Sequence, residues 1–174
     1  MFRYTRCASS SRIMFKPLSP FLIARAFIER SEPSDQMTPM KVLKLAYITH
    51  GWHLAFTNGA PLITDDVEAW KYGPVIPSLY YGIKSYRKDP IPVQDALRFA
   101  EPLDQVGRQD LKPLIDRVWH VYRKFSGLQL SDLTHRPGTP WHQVWEVEGG
   151  SAKHGAVIPN PLIQQHYQSK RRPA

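Results

Sequence analysis

Apolar residues recur along this chain in blocks, and the spacing within each block predicts the element it forms. From Phe21 to Ile28 the run is apolar but for Arg25, and Arg25, Glu29 and Glu32 mark the wet side of a first helix predicted from about Pro20 to Ser31. A second helix is predicted from Pro39 to about Thr57, closed by Asn58-Gly59, a residue pair that favours helix ends. Met40, Val42, Leu43, Leu45, Ala46, Tyr47, Ile48, Trp52, Leu54, Ala55 and Phe56 make it apolar nearly all round. A helix of that kind belongs at the centre of a fold, not on its surface. Its polar residues fall on two edges, Lys41 and Lys44 on one and His50 with His53 roughly opposite, at about 100° per residue.

Alternation then replaces helical spacing. Val67 to Lys71 reads as a strand, paired with Ile91-Pro92-Val93 as an edge because proline cannot donate to a ladder. A helix follows from about Pro77 to Arg87, and residues 89–108 read as a long polar connection. Leu111, Ile115, Val118, Tyr122 and Phe125 return to three-and-four spacing, widened by Leu114 and Val121, and Gly127 is expected to end that helix. Short helices are predicted near 129–135, 140–147 and 161–168. Ser19-Pro20, Thr38-Pro39, Thr139-Pro140 and Asn160-Pro161 each offer a capping oxygen followed by a proline at the first helical position, where its missing N–H costs nothing. The sum is a mostly α, compact single-domain helical bundle with a small two- to three-stranded β element and no internal repeat.

Composition narrows the class. The chain has 174 residues, 42% of them hydrophobic, enough for one domain with a real core. No apolar run reaches the length that spans a bilayer, so no membrane is expected. The single cysteine, Cys7, excludes an intramolecular disulfide and a cysteine-based zinc cluster, and points to a reducing compartment. A net charge of +8 suggests nucleic acid until it is mapped. Arg3, Arg6, Arg12, Lys170, Arg171 and Arg172 lie at the two ends, and the remainder holds 17 Lys and Arg against 15 Asp and Glu. The body therefore has little generic pull on phosphate, and nucleic acid is not its expected partner. Residues 1–15 are read as a disordered or mis-assigned extension ahead of a start at Met1 or Met14, 16–168 as the helical domain, and 169–174 as a basic tail.

Four clusters hold residue types that could carry chemistry. His50 and His53 have a spacing that supports metal ligation, but no Glu-containing zinc motif accompanies them, and hydrogen bonds at the edge of a buried helix account for them. Asp65, Asp66, Glu68 and Lys71 hold residue types of a magnesium-dependent nuclease or hydrolase, yet Glu68 and Lys71 are an odd number apart and would leave a strand on opposite faces. Ser131, Asp132, Thr134 and His135 are crowded on one helical turn, whereas hydrolytic triads assemble from distant segments; a serine cap and a buried histidine explain them better. Trp52, Trp119, Trp141 and Trp145 read mostly as core. Trp70-Lys71-Tyr72-Gly73-Pro74 stands apart as an aromatic run ending in a Gly-Pro turn, a rigid loop suited either to partner contact or to turn architecture. No catalytic, metal or cofactor-binding residue is expected.

Three blocks in order carry a family resemblance. MKVLKLAYITHGWHLA from Met40, EAWKYGPVIPSLY from Glu68 to Tyr80, and LSDLTHRPGTPW from Leu130 to Trp141 resemble the signatures of the Panacea domain, the SocA-like/GepA-like antitoxin family, with a weaker match around Gly155-Ala156-Val157-Ile158. The resemblance spans about residues 18–168. It implies a cytoplasmic bacterial or phage antitoxin, not an enzyme, that neutralises a cognate toxin encoded by an adjacent gene through direct protein–protein binding. Delivery of the toxin to protease machinery is the alternative it leaves. The candidate partner-binding residues are Lys41, Lys44, Trp52, His53, Trp70, Lys71, Tyr72, Gly73, Pro74, Thr134, His135 and Trp141. The Arg- and Lys-rich ends are expected to add electrostatic steering.

Overall fold

The all-round apolar helix sits where its composition requires. In the computed structural model, which describes residues 16–171, α2 (Pro39–Phe56) is buried continuously from Lys41 to Ala55. Thr38 opens it by accepting from the Lys41 N–H at 3.4 Å, with Pro39 at the first helical position. Around it pack α1 (Pro20–Ile28), α3 (Pro77–Ile83), α5 (Lys112–Tyr122), α6 (Gly127–His135) and α8 (Asn160–Ser169). Ser19 caps α1 and Thr139 caps α7 (Pro140–His142), which continues as a wider π turn through Gln143–Val147. Each expected Ser-Pro or Thr-Pro start is thus a real one. No helix among the described residues is long and apolar enough to cross a membrane.

A three-stranded antiparallel sheet completes the mostly α architecture. Strand β1 (Val67–Trp70) is central, with β2 (Gly73–Val75) on one side and β3 (Ala156–Ile158) on the other. Glu68 lies opposite Val75 and Val157, and Ala69 opposite Pro74 and Ala156. Residues 91–93 are therefore not the strand partner expected for β1, because both of its edges are already paired. Instead the Ile91 N–H donates to the Met37 carbonyl at 2.9 Å, and Pro92 leads into a short helix, α4 (Val93–Ala96). Ahead of α1, Leu18 forms a parallel bridge with Ile63, donating to the Leu62 carbonyl at 2.8 Å and accepting from Thr64 at 3.0 Å.

Other boundaries shift for local reasons. Helix α1 stops at Ile28, short of Ser31, and α3 stops at Ile83 before tightening into a 3₁₀ turn at Lys84–Tyr86. Gly127 begins α6 and does not end α5. Ser126 caps it by accepting from the Gln129 N–H at 3.2 Å, while the Gln129 side chain accepts from the Ser126 N–H at 2.8 Å. This reciprocal pair is a stronger start signal than glycine is a stop. Val121 is exposed, so it does not widen the buried stripe of Leu111, Leu114, Ile115 and Val118. Asn160 does not cap α8; its side chain faces His50 Nε2 at 2.9 Å. Residues 1–15, read from sequence as an extension, lie outside the described residues, as do the last three of the chain. Lys170 and Arg171 lie against the body: Lys170 Nζ is 5.5 Å from the Tyr167 ring centre, and Arg171 donates to the Ala55 carbonyl at 3.2 Å.

The tightest packing in this arrangement is where α8 crosses α2. Tyr167 of α8 is edge-on to both Tyr47 and Trp52, with ring centres 6.2 and 5.2 Å away. A Cβ at Gly51 would lie 2.2 Å from the Tyr167 ring. Alanine normally gains up to about 1 kcal/mol over glycine in a helix. Here overpacking against a buried ring outweighs that gain, and Gly51→Ala is expected to lower unfolding free energy by about 1–3 kcal/mol. Urea denaturation checks this, and a rise in the midpoint would show that α8 yields without cost.

Candidate protein-interaction site

The second and third sequence blocks meet at one hairpin. Strands β1 and β2 are joined by a two-residue turn, Lys71-Tyr72, so the backbone there has carbonyls with no ladder partner in reach. Side chains from three helices supply the donors. Trp141 Nε1 of α7 donates to the Trp70 carbonyl at 2.8 Å, and His135 Nε2 of α6 lies 3.2 Å from the Lys71 carbonyl. The Tyr72 carbonyl accepts from Lys44 Nζ at 2.6 Å and from Ser131 Oγ at 2.9 Å, and Lys44 Nζ also reaches the Pro74 carbonyl at 3.0 Å. The His135 ring lies 4.1 Å, centre to centre, from that of Trp141. Gly73 is required at the junction for two reasons. Its φ of +102° is one that other residues rarely adopt, and a Cβ there would lie 2.6 Å from Lys44 Nζ.

Lys44 is the centre of this clamp. It is almost fully buried with no ion-pair partner among the described residues, and burial pushes its pKa down to about 7. Loss of the proton leaves two N–H donors, one for each carbonyl, so the clamp does not depend on the charge. Gly73 and Pro74 are buried strand residues and not a surface turn, which corrects the expectation of a loop ending in Gly-Pro. The exposed part is shorter: Lys71 and Tyr72 alone. Tyr72 is 61% exposed, and Lys71 Nζ sits 5.6 Å from its ring centre. Trp70 is half-buried, edge-on to Tyr80 at 4.9 Å and to the exposed Tyr81 at 6.2 Å.

The remaining candidates lie elsewhere, and inside. Lys41 is buried under Trp119 and donates to the Asp35 carbonyl and, at 2.6 Å, to that of Arg123, tying the start of α2 to the end of α5. Desolvation lowers its pKa against the opposing pull of Asp35. Trp52 stacks on Phe56 with ring centres 5.7 Å apart. His53 Nδ1 lies 2.9 Å from the Ala60 carbonyl, and burial holds its pKa down to about 4. His50 is likewise lowered, mainly by desolvation, and its Nδ1 accepts from the Leu62 N–H at 3.4 Å. Thr134 returns its hydroxyl to the Ser131 carbonyl at 2.9 Å.

Side chains of the chemistry-bearing clusters are bonded within the fold. Glu68 accepts from Trp70 Nε1 at 2.7 Å and Asp65 from the Thr64 hydroxyl at 2.8 Å. Among the described residues no three His, Cys, Asp or Glu side chains are grouped so as to hold a metal ion. Ser131 is a mid-helix residue and not a cap, and it donates to a backbone carbonyl. Its part in the clamp is absent from the sequence-based candidates. The sequence signal available was Lys44 itself, a lysine on a helix with no wet side and no acid three or four positions away, which has to find oxygen somewhere.

The comparisons with known proteins agree with these blocks. The model of the antitoxin SocA-like, Panacea domain family matches residues 42–142. Antitoxin SocA of Caulobacter vibrioides is 26% identical over 159 residues, covering 86% of this chain and 82% of its own length. No solved structure matches.

Two outcomes follow for the clamp. Ser131→Ala removes one of two donors to the Tyr72 carbonyl and should cost about 0.5–1.5 kcal/mol in denaturant unfolding, with faster amide hydrogen exchange concentrated in β2. For Lys44, the folded pKa of about 7 lies below the ordinary value of 10.5, so the unfolded chain binds more protons between those limits. Stability should therefore rise as pH increases from about 7 towards about 10, and Lys44→Met should flatten that part of the curve. An unchanged slope in the variant would show that Lys44 does not titrate there.

Proposed function

Because the chain belongs to the SocA-like antitoxin family of Panacea domain proteins, we propose that this antitoxin neutralises its toxin by direct protein–protein binding through the clamped hairpin. A toxin partner goes with the family; the hairpin as contact surface is the reading supported here by geometry. The observation that carries it is the turn at Lys71-Tyr72, where the carbonyls at positions 70, 72 and 74 accept from side chains of α7, α6 and α2 and the His135 ring faces that of position 71. A tyrosine and a lysine are thereby presented on a backbone that has little conformational entropy left to lose on binding. Tyrosine supplies contact area with few rotatable bonds, and central aromatic residues carry much of the energy of protein interfaces. The mechanism is occlusion, in which a rigid projection covers the toxin's active site or substrate channel.

Residues at signature positions divide into a frame and a contact. Lys44, Gly73, Pro74, Ser131, His135 and Trp141 hold the hairpin; Lys71 and Tyr72 meet the partner. Lys41, Trp52, His53 and Thr134 act through the core. The role needs no catalytic residue, no cofactor and no nucleic acid.

Co-expression with the product of the adjacent gene tests this, reading growth rescue and co-purification together. Wild type should rescue growth and form a stable complex. Tyr72→Ala should weaken that complex by about tenfold or more, and Lys71→Ala by less, with the thermal midpoint of the free protein unchanged in both. Full rescue and undiminished affinity in the double variant would remove the hairpin from the mechanism. Rescue by wild type without any complex would instead indicate delivery of the toxin for degradation or reversal of its damage.

A further inference from the structure

Beside the hairpin lies a cleft that the occlusion reading does not use. It has a volume of about 370 Å³ and opens between the β1 end of the hairpin and the loop at residues 151–155. Its aromatic walls are Trp70 and Trp145, both half-buried. Trp145 is carried on the π turn after α7 and stacks on the buried Trp141 at 5.7 Å and 19°, which fixes its orientation. Trp70 is fixed by its bond to Glu68 and lies 6.3 Å, ring centre to ring centre, from His154. Single π turns inside helices are commonly found at functional sites.

Lys71, Lys153 and His154 line the cleft, and the Glu68 carboxylate sits behind its Trp70 wall, bonded to Trp70 Nε1 at 2.7 Å and lying beside Gly155. Among the described residues, no carboxylate lies within ion-pair distance of Lys71 or Lys153. The outer lip is held at both ends. A 3₁₀ turn at Gly150–Ala152, with Gly150 buried, anchors its start, and β3 anchors its end in the ladder with β1. The cleft is preformed and walled by aromatic rings, its one neighbouring carboxylate is already bonded to Trp70 while its two lysines are in no ion pair among the described residues, and it shares Lys71 with the hairpin turn.

Resting on the antitoxin reading above, we propose that this cleft seats a segment of the toxin in which a carboxylate lies beside a large apolar side chain. The apolar group fills the space between Trp70 and Trp145, and the carboxylate is met by Lys153 and Lys71. Charge complementarity selects the acid; the ring walls select the neighbour. The surface that recognises the toxin then extends from Tyr72 across Lys71 into the cleft. This gives the partner two anchor points at one edge of the sheet.

The test uses the full-length protein and the toxin identified by co-expression. Lys153→Glu reverses an exposed charge and is expected to weaken the complex at least tenfold. Lys88→Glu makes the same change in net charge outside the cleft and should stay within twofold. A photo-crosslinking residue at the exposed Ser151 should form its adduct with a toxin segment containing Asp or Glu next to an apolar residue. Equal affinity for Lys153→Glu and wild type, or an adduct only to segments without an acid, would overturn the cleft while leaving the antitoxin reading intact. Failure of wild type to bind or neutralise the toxin would overturn both. Trp145→Phe, which keeps a ring against Trp141, should weaken binding without lowering the thermal midpoint; no effect on affinity would remove the aromatic wall from the proposal.

Discussion

Helix α2 has no side in water, and the rest of the molecule is arranged around what that demands. Burial of its apolar residues drives collapse, but the hydrophobic effect is non-directional and would accept many arrangements. Its polar side chains are more selective, because a buried donor without an acceptor costs far more than a made bond returns. Lys41 fixes the segment around Asp35 and the end of α5, Lys44 fixes the hairpin, and His50 and His53 fix the turn after α2 and the start of α8. Thr49 returns its hydroxyl to the Leu45 carbonyl at 2.7 Å. Four of these five polar residues therefore set the positions of elements on several sides of the helix.

Most of those partners are main-chain oxygens, and this explains what could and could not be read from the sequence. Helix starts were legible because their causes are local: a capping oxygen and a proline, adjacent in the chain. The central position of α2 was legible because it follows from periodicity alone. The β1 pairing was not, since β3 lies nearly ninety residues further on and carries only three residues of pattern. Gly127 misleads as a stop signal because Ser126 and Gln129, three residues apart around it, form a reciprocal cap that starts a helix there. The twelve candidate residues included much of the hairpin's frame, but the sequence could not separate frame from contact. A carbonyl acceptor has no letter of its own, so the reason for Lys44 or Ser131 is invisible until the fold brings the Tyr72 oxygen to them.

The clamp is also strongly non-local. Its bonds close over separations of 28, 59, 64 and 71 residues. Loop closure of that kind must be met before any single bond returns stability, so the hairpin is ordered only when α6 and α7 are docked. Integrity of the hairpin is thereby coupled to integrity of the whole domain. A partly folded molecule does not hold the turn in this form.

Holding a turn by its backbone has an evolutionary corollary. None of the bonds to the carbonyls of residues 71 and 72 involves the side chains at those positions, so the grip is indifferent to which amino acids stand there. Two neighbouring letters can be rewritten without disturbing the scaffold that displays them. A protein facing a changing adversary could retarget itself at this tip by single substitutions, each tested for recognition and almost none for folding.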